Sequence, residues 1–272
     1  MKRLLLLFAL LTLHRHLFPQ IYNGIPSSIG IAGTSVADRR SINIFKNPSG
    51  IAYAEQTSFA YQYENKYIIN ELSLNSAQAL IHTDPINADL SLAYFGYSLY
   101  HELLVGVGFA RNFSDKFSIG LRFVYLSAYF SQDNCYKGAL LAQPGLMFRM
   151  TPKFTIGFET FNPFQTAIKT EYATKKIISL FSIGVEHDVT DEFVWRAQID
   201  RVVGSAYRFA CGFEYLILNK VNFKLGLAAN DYLAGAGGIG LYLNRFHLDF
   251  NCEVHPILGI SPSVGIRHNM KK

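Results

Sequence analysis

Charge is scarce in this sequence. Only 17% of its 272 residues are Asp, Glu, Lys or Arg, against roughly 25% in an ordinary soluble domain. A surface needing so little charge is not all in water. The net charge of +5 is spread along the chain without a basic stripe, which excludes nucleic acid as a partner. Cysteine is nearly absent. Cys135, Cys211 and Cys252 match no metal-ligand spacing, and an odd number cannot pair fully, so a disulfide framework is excluded. Beyond the leader no run approaches the 18 or so apolar residues of a membrane-spanning helix. No nucleophile elbow and no HExxH occurs. His247, His255 and His268 lie near Ser261 and Ser263, but His247 reads as an inward histidine oriented by Asp249. Gly235, Gly237 and Gly240 have dinucleotide-fingerprint spacing without the helix that must follow, and are read as lumen-side or bend glycines. No catalytic residue, cofactor or metal site is assigned.

Apolar and aromatic side chains are abundant. They begin with a leader: Lys2 and Arg3, then an apolar core from Leu4 to Leu13, too short to span a bilayer as a helix. This reads as an export signal over residues 1–20, cut near Gln20. With no cysteine nearby, a lipid anchor is not expected.

From residue 57 onward the pattern has period two. In "FHLDFNCEV", Phe246, Leu248, Phe250, Cys252 and Val254 oppose His247, Asp249, Asn251 and Glu253. In "YRFACGFEYLI", Tyr207, Phe209, Phe213 and Tyr215 oppose Arg208, Ala210, Gly212 and Glu214. Such strands carry one bulky apolar face and one polar or glycine face. Their length of about ten residues suits a tilted bilayer crossing, and Tyr and Phe gather near their ends. Fourteen strands are counted between residues 57 and 268, an even number. The turns "FSDK", "MTPK", "VTDE", "LNK" and "NR" are short and fall on one side. The longest connection, residues 162–176, falls on the other. The short turn after Leu99 is the exception on the long side.

Only closure leaves a membrane sheet without an open edge. The expected fold is therefore all-β, a transmembrane antiparallel barrel in the outer membrane, in contact with its lipid. A lumen of about fourteen strands is wider than its own side chains fill. The stretch before the first strand, residues 21–56, is suited to fill it. Gly30, Ala32, Gly33, Ser35 and Ala37 form a small-residue surface. Asn47 can bond its own backbone, Pro48 fixes φ and Gly50 is free to take a positive φ. These residues are read as a plug and its turn into the wall.

The segments "SIGIAGTSVA" and "INIFKNPSGIA", with the final "SPSVGI", resemble the FadL-like outer-membrane transporters, including their PorV/PorQ branch. "NPSG" is similar to that family's "NPAG"-type element. The resemblance implies a fourteen-stranded barrel with an N-terminal plug. It implies passage of a hydrophobic small molecule or, for the PorV/PorQ branch, partnership with secretion-system proteins. The chain is short for either branch, and "IRHNMKK" lacks a terminal aromatic residue.

Two further features complete the reading. Pro144 and Gly145 interrupt a strand, where proline removes a ladder donor, and mark a seam or a bulge. Inward charges of both signs concentrate in the second half of the chain. Among them Arg196, Glu214 and Lys224 are expected to form a structural charge ladder, with Glu214 opposite Lys224 or its neighbour. The mixed signs suit internal neutralisation better than an ion-selective pore. The open alternatives are a transporter, a secretion-accessory barrel and a lipid-directed barrel enzyme.

Overall fold

A computed structural model describes residues 29–40, 44–114, 116–131, 135–169 and 174–270. The expected export signal lies outside the described residues. The strands are β1 (Ser58–Asn65), β2 (Ser73–Ile81), β3 (Asn87–Tyr97), β4 (Tyr100–Phe113), β5 (Phe117–Phe130), β6 (Cys135–Thr151), β7 (Phe154–Phe161), β8 (Ala167–Lys169), β9 (Thr174–Lys176), β10 (Leu180–Asp188), β11 (Phe193–Val202), β12 (Tyr207–Ile217), β13 (Val221–Ala229), β14 (Leu233–Leu243), β15 (Phe246–His255) and β16 (Gly259–Asn269). All except β8 and β9 form one closed antiparallel barrel of fourteen strands. It closes where β1 pairs with β16, with Ser58 opposite Asn269. β8 and β9 make a separate two-stranded sheet inside the connection that the sequence reads as a plain loop.

Alternation decides what faces in and out. Along β1, Ala60, Gln62 and Glu64 are buried while Phe59, Tyr61 and Tyr63 are exposed. Every barrel strand exposes at least one large apolar side chain. Aromatic rings cluster on two levels. Toward the long connections, His101 stacks on Tyr129 (centroids 4.9 Å apart) and Tyr129 lies 4.9 Å from Tyr136. Toward the short turns, Phe113 neighbours Phe117, and Phe193 stacks on Phe213.

The inner face of β2–β7 changes character along the strands. Its half nearer the long connections is apolar: Leu74, Phe95, Leu104, Val124, Leu126, Leu141 and Phe161 form one buried cluster. The half nearer the short turns is polar, with Asp89, Arg122, Gln143 and Glu159 buried.

Two sequence expectations need correction. Gly235 and Gly237 alternate with the buried Ala234 and Ala236, so they face outward, and only Gly240 of that set faces the lumen. The break at Pro144 is not a bulge. The β5–β6 register runs unbroken through Leu121↔Pro144, and the irregularity of β6 lies at Arg149/Thr151.

Candidate functional site

The described residues of the segment, 29–40 and 44–57, lie against the inward face of the wall. Glycines make the room. A Cβ on Gly184 would come within 2.6 Å of Val36, one on Gly212 within 2.7 Å of Ile31, and one on Gly106 within 2.8 Å of Phe45. Cβ atoms on Gly120, Gly145, Gly157 and Gly226 would overlap Pro48, Asn47, Val36 and Ile31 respectively. The glycine faces of the sequence are therefore occupied space.

Asn47 is the anchor of this segment. Its amide nitrogen donates to the carbonyl oxygens of Val36 (2.6 Å), Leu146 (3.3 Å) and Phe158 (3.3 Å). Leu146 and Phe158 are paired residues of β6 and β7, so one side chain ties the segment to two wall strands. Its Oδ1 accepts from the Ser49 amide (3.1 Å) and hydroxyl (2.7 Å). This caps a 3-10 turn, Pro48–Tyr53, that Pro48 opens, as expected of a residue without an N–H at a helix start. Gly50 sits inside that turn, and its N–H donates to the Asn47 carbonyl (3.0 Å). It does not use a positive φ, contrary to expectation, because the turn is right-handed. Gly33 does, at φ +74°, with the Arg208 guanidinium 3.1 Å from where its Cβ would stand. Gly30 packs on Asn251 and Lys224.

Pro144 and Gly145 lie where the β6–β7 ladder stops: its pairing begins at Gly145↔Glu159. Three positions on, in the same register, the Asn162 N–H donates to the Ala142 carbonyl (3.0 Å), so β6 and β7 stay bonded past Pro144, whose missing N–H weakens the pairing between them. Asn47 lies against the last paired residues before this stretch, its Oδ1 where a Cβ on Gly145 would stand.

Charges on the inner face bind the segment and the wall together. Arg196 contacts Glu186 (2.8 Å), Glu214 (2.5 Å) and, from the segment, Asp38 (3.1 Å). Arg39 contacts Glu186 and Asp188, both at 3.0 Å. Glu214 stands directly opposite Lys224 in the β12–β13 register, but their charged ends go elsewhere. Glu214 accepts from Asn222 (2.8 Å) and Lys224 pairs with Asp249. On the other wall Arg122 pairs with Asp89 (3.0 Å). Its Nη1 donates to the Lys46 carbonyl (2.8 Å), and Gln143 donates to the Phe45 carbonyl (3.1 Å). Burial lowers the Lys46 pKa below its ordinary value, against the opposing pull of Glu159 and Asp200.

Phe45 and Ile44 belong to the apolar cluster, so the segment packs against the apolar half of the inner face and, through Lys46, against its charged half. The sequence did not single out Asp38, Arg39, Asp89, Arg122 or Glu186 as partners. Charges amid the small residues of 29–40 were the available signal.

No protein-family model matches the chain, and no curated protein matches it in sequence. Solved structures do. One is the CymD monoaromatic hydrocarbon channel, with TM-score 0.66 and 11% identity over 90% of this chain and 98% of that one. Another is the Pseudomonas putida toluene transporter TodX, with TM-score 0.65 and 10% identity over 89% and 95%. A third is a Pseudomonas aeruginosa FadL homologue, with TM-score 0.60 and 10% identity over 90% and 97%. The barrel thus has the fold of FadL-type hydrocarbon channels. These neighbours are channels and transporters, not enzymes.

Proposed function

We propose that this chain is an outer-membrane barrel whose segment 29–57 plugs the lumen and which passes small hydrophobic molecules passively. The observation that carries this reading is the apolar inner face of β2–β7, which Phe45 of the segment joins and beside which Pro144 interrupts the β6–β7 ladder. An apolar molecule gains about 25 cal/mol per Å² of surface removed from water there. The charged inner face beyond offers it nothing, so its favoured way on is sideways, at the β6–β7 pairing that Pro144 weakens, rather than straight through. The fold shared with hydrocarbon channels supports the same reading. The exposed apolar side chains on every barrel strand support a lipid-facing wall.

Uptake of labelled toluene into cells lacking other such channels tests it. Expression of the chain raises the uptake rate, and Leu104→Glu, which places a charge in the apolar inner face, abolishes the gain. Uptake no faster than in cells without the chain overturns the reading. A second reading is a barrel that docks secretion-system proteins. Its support is the brevity of the connections at 98–99 and 256–258, which leave little chain for an outer capture groove. Cross-linking in native membranes to a protein partner, with no toluene uptake, would favour it.

A further inference from the structure

A cavity of about 360 Å³ opens where β1 begins and β16 ends, between those strands and the segment 29–57. Three arginines line it, Arg39, Arg40 and Arg267, together with Gln78 and Asn269. Two of the arginines are committed. Arg39 lies 3.0 Å from both Glu186 and Asp188, and Arg40 lies 2.6 Å from Asp188. Arg267 differs. Among the described residues no carboxylate pairs with it. Its Nη1 donates to the Arg40 carbonyl (3.0 Å), and its Nε is buried without a hydrogen-bond partner. The residue directly opposite on β15 is His247, 3% exposed, with no hydrogen-bond partner on either ring nitrogen. The nearby Asp249, 3.5 Å from His247, already pairs with Lys224. Glu55 is the one carboxylate lining the cavity, and it is exposed to solvent.

A guanidinium that lines a cavity with no carboxylate partner can offer its terminal nitrogens to a ligand, and a carboxylate is the group their planar geometry matches. We propose that this cavity is a binding subsite for a small organic carboxylate, with Arg267 taking the carboxylate and the Asn269 side chain flanking it, while the Gln78 amide is held by Asp89 (2.9 Å). Tyr53, Ile51 and Leu80 supply an apolar wall for the organic body. The volume falls within the usual range for small-molecule sites, roughly 300–1,000 Å³. The subsite is separate from the apolar cluster of β2–β7 and stands whether or not hydrocarbons pass.

The test is calorimetric titration of the full purified chain in detergent at low ionic strength, with benzoate, inorganic phosphate and toluene. Benzoate binds, and added salt weakens it. Arg267→Gln weakens benzoate roughly tenfold or more, as expected for loss of a charge-assisted hydrogen bond. Arg267→Lys, which keeps the charge and loses the fork, falls between. Toluene binding is unchanged in both variants. Heat-modifiable migration on gels checks that each variant folds, and should Arg267→Gln not fold, the lysine variant carries the comparison. Phosphate binding in place of benzoate, equal benzoate affinity in the folded variants, or no benzoate binding overturns the proposal.

Discussion

At the scale of single residues, Asn47 does two jobs with one side chain. Its oxygen caps its own turn and its nitrogen reaches three carbonyls on three different stretches of chain. Asn47→Asp keeps the cap but faces those carbonyls with oxygens that can only accept. Each buried group left unsatisfied costs about 1–3 kcal/mol. The expected outcome is loss of the segment's seat before loss of the barrel. Trypsin cleavage at Lys46 accelerates, while the heat-modifiable band of the barrel persists. A cleavage rate equal to the parent's would show that Asn47 does not hold the segment. That Asn47 makes a turn was legible in the sequence, since Asn-Pro is a turn signal. That its amide points at Leu146 and Phe158 was not, because a local signal carries no information about chain roughly 100 residues away.

At the scale of the strand, a recurring device joins charges across a glycine. Asp89, Gly108 and Arg122 stand opposite one another on β3, β4 and β5. The outer two pair at 3.0 Å over the middle one. Lys224 and Asp249 do the same from β13 and β15, with Gly238 and Gly240 of β14 between them. Strands two apart are separated by about 9.6 Å, a gap that a long side chain bridges only where the strand between has no side chain in the way. A Cβ on Gly108 would overlap the Asp89 carboxylate and lie 3.3 Å from the Arg122 Nε. Gly108→Ala therefore loosens a fully buried ion pair, at a cost on the order of 2 kcal/mol. Gly235→Ala, an outward position with nothing within 4 Å, is the neutral control. Urea unfolding of the reconstituted barrel should separate the two, and coincident midpoints would mean that the glycine is not needed for the pair. This level also marks where sequence reasoning stopped. Period-two alternation assigns a face to each residue, and it gave the strands, the closure and the inward charges. It names no partner, so the direct Glu214↔Lys224 pairing could be counted from a turn while the Lys224–Asp249 contact over β14 could not. β8 and β9, three residues each, are too short to alternate.

At the scale of the molecule, height and filling are separate arguments. Twelve residues of β5 separate Phe117, in the aromatic level near the short turns, from Tyr129, in the level near the long connections. At ~3.3 Å per residue this is about 40 Å of strand, or about 30 Å of height at the usual tilt of roughly 40°. That matches the hydrocarbon thickness of a bilayer, so the chain should fractionate with the outer membrane; recovery as a soluble protein would contradict the lipid-facing wall. Filling is tested by removal. A fourteen-stranded wall encloses more room than its own inward side chains occupy, and here many of those side chains are glycine. On the proposed reading the segment 29–57 takes that volume, its described residues held by Asn47, by Asp38 on Arg196 and by Arg39 on Glu186. Without it, Arg196 keeps Glu186 and Glu214 and Arg122 keeps Asp89, so the wall retains paired charges and should still close. What remains would be a water-filled channel with both signs of charge on its lining. Deleting residues 22–45 should therefore raise single-channel conductance in planar bilayers several-fold, with weak preference between cations and anions. A conductance equal to that of the full chain, from a barrel that still shows heat-modifiable migration, would mean that the segment does not obstruct the lumen.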